Sequence, residues 1–472
     1  MPRPSCLGVE MPTPDNHLIH DLRPKPVSPQ RSGERLRVAF WTLGCRLNQY
    51  DTEGLRVRLS ALRPIEVVPW TENADLYILN SCTVTAKADQ ECRRLARQAK
   101  RRSPEAKVLV AGCYAQTQPE ALARVPEIDA VIGNVDKERV GNWLAEVLDA
   151  RSPAVHVQEF ASHQVFDSPL IDEFSGRSRA FVKIQDGCDL RCTYCLIWKA
   201  RGPGRSRAVE DIDAQLQALV RRGYHETILA GIHLGSYGRD LANGMSLPEL
   251  LRHVLETFPE LRIRLSSIHP NEIDSELLGI FRNYEHLRPH LHVSLQSGSD
   301  SVLRRMKRPY GAQRAWDAMH DISAVRPDFG IGADIIVGFP GETDKEFEAT
   351  CTMVEELPFS YLHVFRFSPR PGTAAAAMGD RVHPETVTRR AARLRELASR
   401  RHLEFLEDLL GTTHEAILEA EGDLPGYRRA TTDNYVVVLV PEEGKTGSLV
   451  DVRPVRRDGD RLFAEIVEGI HG

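Results

Sequence analysis

From residue 37 onward, short apolar runs alternate with longer stretches in which apolar side chains recur every three or four positions. Residues 37–42, 76–80, 107–111 and 129–132 predict strands, and intervening stretches such as 51–62 and 86–102 predict helices. Strands that alternate with helices build a parallel sheet covered by helices. After a mixed stretch the alternation resumes, with strands predicted at 180–184, 227–230, 262–266, 291–295, 331–337 and 362–367. Six such units predict a barrel or partial barrel, whose chemistry gathers at the C-terminal ends of its strands. A charged helical run from 384 to about 410 closes this unit. The β-rich pattern beyond it, at 415–418, 435–440 and 462–467, predicts a small barrel.

The chain thus reads as α/β in class, with five parts: a disordered extension (1–35), a parallel-sheet α/β domain (36–150), a linker (151–175), a six-unit barrel (176–408) and a small β-barrel (409–472). Prolines at 2, 4, 12, 14, 24, 26 and 29 mark the extension, to which no function is assigned; translation starting at Met11 or later is a second reading of it.

At 42% hydrophobic and 27% charged residues, the composition excludes a collagenous, mostly disordered or disulfide-dense chain. A net charge of −5 excludes wholesale coating of nucleic acid and leaves room for local basic patches. No apolar run is long enough to span a membrane and no secretory segment is visible, so a cytoplasmic protein without a membrane partner is expected. In a reducing compartment the nine cysteines point to metal, redox or catalytic duty.

Cys188, Cys192 and Cys195 form a C-x3-C-x2-C run directly after a predicted strand. Three thiolates on one loop can ligate three irons of a 4Fe–4S cube and leave the fourth open to a chelating substrate. Zinc usually wants four ligands, and no fourth Cys or His lies nearby. Cys45, Cys82 and Cys113 are distant in sequence, yet each follows a predicted strand of the first domain. Ends of parallel strands lie side by side, so these thiols should converge at the ligand-binding edge of the sheet. The small residues Gly44, Ser81 and Gly112 precede them and would let a cluster approach the backbone. Cys92 and Cys351 share helical stripes with apolar neighbours and read as core thiols, while Cys6 lies in the extension.

The C-x3-C-x2-C run, with Tyr194 just before its last cysteine and six βα units around it, resembles the radical S-adenosylmethionine (SAM) enzymes over residues 176–380. The resemblance implies that the open iron binds the amino and carboxylate groups of SAM, that SAM is cleaved to a 5′-deoxyadenosyl radical, and that Tyr194 packs near the adenine. Gly231, Ser267, Gln296 and Asp334, with Gly338 and Gly341, stand at strand ends and become SAM-pocket candidates. Two three-cysteine sites followed by a small β-barrel resemble the radical SAM methylthiotransferases over residues 37–472. The runs Thr42-Leu43-Gly44-Cys45-Arg46-Leu47-Asn48-Gln49-Tyr50 and Asn80-Ser81-Cys82-Thr83-Val84-Thr85 are most similar to the bacterial MtaB-type tRNA branch. Gly231-Ile232-His233-Leu234-Gly235-Ser236-Tyr237-Gly238 and Ser368-Pro369-Arg370-Pro371-Gly372-Thr373 agree with that branch. One departure is Trp198, where the family carries proline after Ile197. The C-terminal barrel resembles a TRAM domain, an RNA-binding module, through Thr432-Asp433-Asn434-Tyr435. Its 7 Lys+Arg against 12 Asp+Glu over 409–472 leave RNA contact to a local patch such as Arg428, Arg429, Arg453, Arg456 and Arg457.

What the resemblance implies is transfer of a methylthio group to C2 of N6-threonylcarbamoyladenosine, or its cyclic form, at position 37 of tRNA. An aromatic C–H beside ring nitrogens offers no acid or leaving group, so a radical is needed. The implied cofactors are two 4Fe–4S clusters and SAM. The implied partners are the tRNA anticodon loop, an electron donor such as flavodoxin or ferredoxin, and a sulfur source. Because the modified base carries a carboxylate, its pocket should offer a cation; Arg46, Arg201, Arg205 and Arg207 follow the cluster cysteines and are the candidates. Basic clusters at 93–102, 199–207 and 304–308 either track phosphates or are solvated faces. The competing readings are methylthiolation of isopentenyladenosine in tRNA or of a ribosomal protein and, outside catalysis, an iron–sulfur RNA-binding redox sensor.

Overall fold

The computed structural model describes residues 35–149, 152–161, 166–174, 176–422 and 424–471. The expected extension and Cys6 lie outside the described residues. The first sheet is wholly parallel, in the order Ile65–Val68, Leu36–Thr42, Leu76–Ser81, Lys107–Gly112, Ala130–Ile132, Ala154–His156. Helices cover both faces, so Leu76–Ser81 is buried at every position and shows no polar alternation. Its two edge strands were not visible in the pattern: they are short and exposed in part, at Glu66 and Val155 for example. Ala154–His156 also corrects the linker, whose first residues complete this sheet. The first helix begins at Arg46 rather than 51, with Cys45 as its N-cap residue.

The central unit is a six-stranded parallel partial barrel. Ala180–Lys183, Glu226–Ala230 and Arg262–Leu265 form one arc, and Ser267–Ile268, His290–Gln296, Gly330–Val337 and Tyr361–Arg366 form the other. The third strand breaks at Ser266 and serves both arcs. Along Gly330–Val337, Ile331, Ala333, Ile335 and Val337 face the helices and join the large core, while Gly330, Gly332, Asp334 and Ile336 alternate with them. Ile171 and Phe174, in the nominal linker, belong to this core. The helix Pro384–Asp408 packs along the last strand and leads into the C-terminal unit.

That unit is a closed five-stranded barrel, His414–Glu421, Tyr427–Thr432, Val437–Pro441, Arg461–His471 and Leu449–Asp458 in spatial order. Tyr427–Thr432 and Leu449–Asp458 escaped prediction because arginines and acids interrupt their apolar positions. Tyr435 is corrected from strand to turn. Its backbone is left-handed (φ +71°) and its N–H donates to the Thr432 carbonyl at 3.0 Å, so the strand starts at Val437.

This turn sits against the N-terminal end of the central barrel. Gly330 leaves no room there for a side chain, since a Cβ would stand 2.1 Å from the Asn434 carbonyl oxygen. Around it, Glu226 is fully buried and pairs with Arg264 at 3.0 Å, Arg288 at 3.3 Å and Arg179 at 3.7 Å. Glu415 of the C-terminal barrel pairs with Arg262 at 2.8 Å and also with Arg288. Burial pushes the Glu226 carboxyl up, and Arg264, Arg179 and Arg288 outweigh it and hold it below its usual range. Glu226→Gln should therefore cost about 3–5 kcal/mol in urea denaturation, because it leaves buried guanidinium charge uncompensated. With the folded value depressed, this contribution is fully present above about pH 4.3 and is lost as the pH falls further. Equal midpoints for the variant and the parent at pH 7 would contradict it.

Candidate functional site

The register of the first sheet brings its three cysteines together. Thr42 lies opposite Asn80, Asn80 opposite Ala111, and Ser81 opposite Gly112, so Cys45, Cys82 and Cys113 all leave the same edge. Gly44 and Gly112 adopt φ of +94° and +95°, which a side chain rarely tolerates. A Cβ on Gly44 would stand 2.8 Å from the Cys82 sulfur. Burial and the neighbouring Cys113 and Cys45 push the Cys82 thiol up to about 12. None of the described cysteines forms a disulfide.

Cys188, Cys192 and Cys195 lie on the loop after the first barrel strand. The Cys195 sulfur accepts the Ile197 N–H at 3.3 Å and the Cys192 sulfur accepts the Arg308 guanidinium at 3.3 Å. Burial raises the Cys195 thiol to about 12, Cys192 and Cys188 adding to the rise against the Ile197 hydrogen bond. Cys82 and Cys195, buried beside neighbouring thiols, thus resist ionising. A cationic metal core removes that penalty, because coordinated thiols are deprotonated outright. Three soft sulfur donors per set, with N–H groups aimed at sulfur, fit an iron–sulfur cluster.

The two sets are joined by a buried ion lattice. Arg201, 1% exposed, sends one terminal nitrogen to Asp186 at 3.0 Å and the other to Asp51 at 2.9 Å and to the Asn48 side-chain oxygen at 2.6 Å. Asp51 also takes Lys137 at 2.5 Å and Lys183 at 2.8 Å. Asn134 donates to the Ala200 carbonyl at 2.6 Å and to the Cys113 sulfur at 3.6 Å. Asn48 and Asp51 belong to the helix after Cys45, and Arg201 ends the short helix after Cys195. Sequence reasoning missed this lattice apart from Arg201. The one available signal was polar Asn48 and Asp51 in a helix whose neighbours Leu47 and Leu55 go inward.

The cation candidates separate accordingly. Arg201 was expected to face substrate and is instead enclosed by the carboxylates above. Arg207 is buried and donates to the Tyr50 hydroxyl at 3.0 Å. Arg205 is buried, donating to the Arg201 and Pro203 carbonyls at 2.8 and 3.2 Å. Arg46 is half-buried, with its guanidinium hydrogen-bonded to the Tyr435 hydroxyl. Trp198 is the second residue of the helix Ile197–Arg201, a place where proline is also accepted, and the Arg191 guanidinium stacks on its ring at 3.8 Å.

Of the SAM-pocket candidates, Gly231, Gln296, Gly338 and Gly341 end or follow strands, while Ser267 and Asp334 lie within them. Buried Gly231 donates its N–H to the Ser266 hydroxyl at 3.3 Å, and a Cβ there would meet Gln185 at 3.1 Å. Half-buried Ser267 opens the second arc. Gln296 ends its strand with φ +70° at a register shift. Asp334 bonds His292 at 3.0 Å and His363 at 3.1 Å. Gly338 donates to Glu342 at 2.9 Å, and Gly341 donates to the Asp380 carbonyl at 2.8 Å. Tyr194 packs against Val302, Met306, Phe339 and Ala375. Missed residues include Arg308, Tyr310, His233, His269 and Glu272: His233 contacts both Cys188 and Glu272, and its ring lies tilted against His269 at 4.6 Å. Arg308 had been read only as part of a basic run.

The basic runs fall mostly to internal partners. In 93–102, Arg94 binds Glu91, Lys100 binds Asp129 and Arg102 binds the Trp70 carbonyl. In 304–308, Arg305 pairs with Glu346 at 2.8 Å, while Arg304 and Lys307 remain exposed.

Comparison with known proteins agrees with this geometry. The Radical SAM superfamily matches residues 182–354, and the uncharacterized protein family UPF0004 matches residues 37–133. The chain is 38% identical to the threonylcarbamoyladenosine tRNA methylthiotransferase MtaB of Aquifex aeolicus, over 88% of this chain and 100% of that protein. It is also 38% identical to the protein of that name from Bacillus subtilis, over 91% of this chain and 97% of that one. A solved radical SAM methyltransferase, TsrM from Kitasatospora setae, shares the fold with a TM-score of 0.54 at 14% identity, over 86% of this chain and 79% of that one. The two cysteine triads, each carried by its matching family region, and the relatives spanning nearly the whole chain place it in the MtaB-type family of radical SAM methylthiotransferases.

Proposed function

We propose that the chain is a tRNA methylthiotransferase that replaces the C2 hydrogen of N6-threonylcarbamoyladenosine, or its cyclic form, at position 37 with a methylthio group. The observation that carries this reading is the pair of cysteine triads at the ends of two parallel sheets, locked to one another through a single buried lattice. When bound, two 4Fe–4S clusters and SAM supply an organic radical and the sulfur to be transferred. Cys188, Cys192 and Cys195 hold the radical-generating cluster, and Arg308 and the Ile197 N–H donate to its sulfurs. Such donors withdraw charge from sulfur and tune the cluster. Cys45, Cys82 and Cys113 hold the sulfur-donating cluster, with Gly44 and Gly112 giving it room. Tyr194, Gly231, Ser267, Gln296 and Asp334 line the SAM side of the barrel. Arg46 follows Cys45 directly and reaches into the barrel, which suits it to the carboxylate of the modified base. The reaction draws on an external one-electron donor such as flavodoxin or ferredoxin and on a sulfur source. The protein works in the cytoplasm, and no helix among the described residues is long and apolar enough to cross a membrane.

Replacing Cys188, Cys192 and Cys195 together by Ala should abolish SAM cleavage and leave about half the iron, because the other thiols lie in a different domain. Replacing Cys45, Cys82 and Cys113 should leave SAM cleavage without methylthiolation; a folded triple variant devoid of iron would overturn the two-site assignment.

Cys92 and Cys351, both in apolar cores, should tolerate Ser at a cost of about 1–3 kcal/mol with iron content unchanged. Iron loss from the folded Cys92→Ser protein would place it among the ligands.

Arg46→Ala should lower methylthiolation of threonylcarbamoyl tRNA about tenfold or more while weakening tRNA binding far less, as expected for a lost charged hydrogen bond rather than a lost phosphate contact. In cells, deletion of the gene should remove the 2-methylthio derivative of threonylcarbamoyladenosine from tRNA digests and spare that of isopentenyladenosine. The opposite pattern transfers the assignment to the sister tRNA reaction, and no change in either points to a protein substrate.

A further inference from the structure

Within the lattice between the two cysteine triads, charge does not cancel. Within 3.2 Å, Lys137, Lys183 and Arg201 meet two acids among the described residues, Asp51 and Asp186, an excess of one positive charge. The outer contacts, Arg205 to Asp186 at 3.7 Å and Glu138 to Lys183 at 4.0 Å, leave that excess unaltered. Such an excess is costly in a dry interior unless a negative group stands beside it. The lattice lies toward the Cys45, Cys82 and Cys113 side. Arg201 hydrogen-bonds Asn48, whose same oxygen lies 3.9 Å from the Cys113 sulfur. Lys137 donates to the Asn134 side-chain oxygen at 2.7 Å, and the Asn134 amide nitrogen contacts the Cys113 sulfur at 3.6 Å. Asn134 therefore relays Lys137 to the Cys113 sulfur, whereas the Asn48 oxygen accepts from both Arg201 and the Cys113 thiol and so places the guanidinium two contacts from that sulfur.

We infer that Arg201 is the counter-charge of the cluster held by Cys45, Cys82 and Cys113, a buried cation two contacts from the Cys113 sulfur that sets that cluster's reduction potential through space. A 4Fe–4S core carried by three thiolates is anionic and gains a further negative charge on reduction. A fixed cation close by and out of water favours the reduced form. The excess positive charge of the lattice is then matched by the cluster. The same guanidinium is bonded to Asp186, two residues before Cys188, so the loop bearing the radical-generating triad is held against the cluster whose potential it sets.

The inference rests on the iron–sulfur reading of that triad, and the test separates the two. Full-length protein carrying Ala at Cys188, Cys192 and Cys195 is purified anaerobically, so that one cluster remains, and its midpoint potential is followed by absorbance and electron paramagnetic resonance. Arg201→Gln should shift the midpoint to lower potential, Asp51→Asn should shift it to higher potential, and Arg201→Lys should keep it near the parent value. If Arg201→Gln fails to fold, Arg205→Gln at the rim should shift the midpoint downward by a smaller amount. Midpoints that stay with the parent, or shifts of one sign in both Arg201→Gln and Asp51→Asn, overturn the counter-charge role. Absence of any redox-active iron in the parent overturns instead the cluster assignment beneath it.

Discussion

Two carboxylates, Asp51 and Asp186, and the cation between them, Arg201, determine how the two halves of this protein meet. Each is almost completely removed from water. Any one of them left unpaired in that place would cost several kcal/mol, so the loop after Cys195 and the helix after Cys45 are stable only in mutual contact. An ionic interdomain contact is thus placed beside the chemistry, next to the apolar packing of Tyr50 into the central core. Small shifts of either loop would break several bonds at once, and the arrangement has few neighbouring geometries to drift into.

Both contributing loops are ends of parallel strands, which is why the fold can supply them. In each sheet the strands run the same way, so polar and sulfur-bearing residues collect at one edge while the apolar strand interiors pack against helices. The first sheet provides Cys45, Cys82 and Cys113 at adjacent positions by register alone. The barrel presents Gly231 and Gln296 at the ends of its second and fourth strands in the same way, with Asp334 inside the fifth. Chemistry at the strand ends and stability in the strand bodies are separate demands here, and they draw on different residues.

This separation explains what was legible in the sequence. The strand bodies announce themselves by unbroken apolar runs, and the cysteines by spacing or by following such runs, so the parallel architecture and both triads follow from local pattern. Edge strands Ile65–Val68 and Ala154–His156 do not, since one exposed side dilutes their hydrophobicity. Arg201, Arg205 and Arg207 look in sequence like a basic patch in solvent. Their burial depends on acids 15 and 150 positions away from Arg201, a distance over which no periodicity carries information. His292, Asp334 and His363 come from three different strands and are likewise united only by the barrel.

The C-terminal barrel adds a constraint of its own at the opposite end. Tyr435 enters the floor of the central barrel with Arg46, Arg179 and Arg264 at 5.4, 5.6 and 4.9 Å from its ring centre and the His290 ring tilted against it at 4.3 Å. Cations favour the face of an aromatic ring, and a desolvated ring strengthens that attraction. One of these cations, Arg46, is the residue next to Cys45, so a side chain of the C-terminal barrel is hydrogen-bonded to the segment that carries the first cysteine of the triad. The C-terminal barrel is thereby part of the wall of the catalytic chamber as well as an appendage on its surface. Through the left-handed turn at Tyr435, the position of the C-terminal barrel and the orientation of the proposed carboxylate-binding arginine are therefore mechanically one variable.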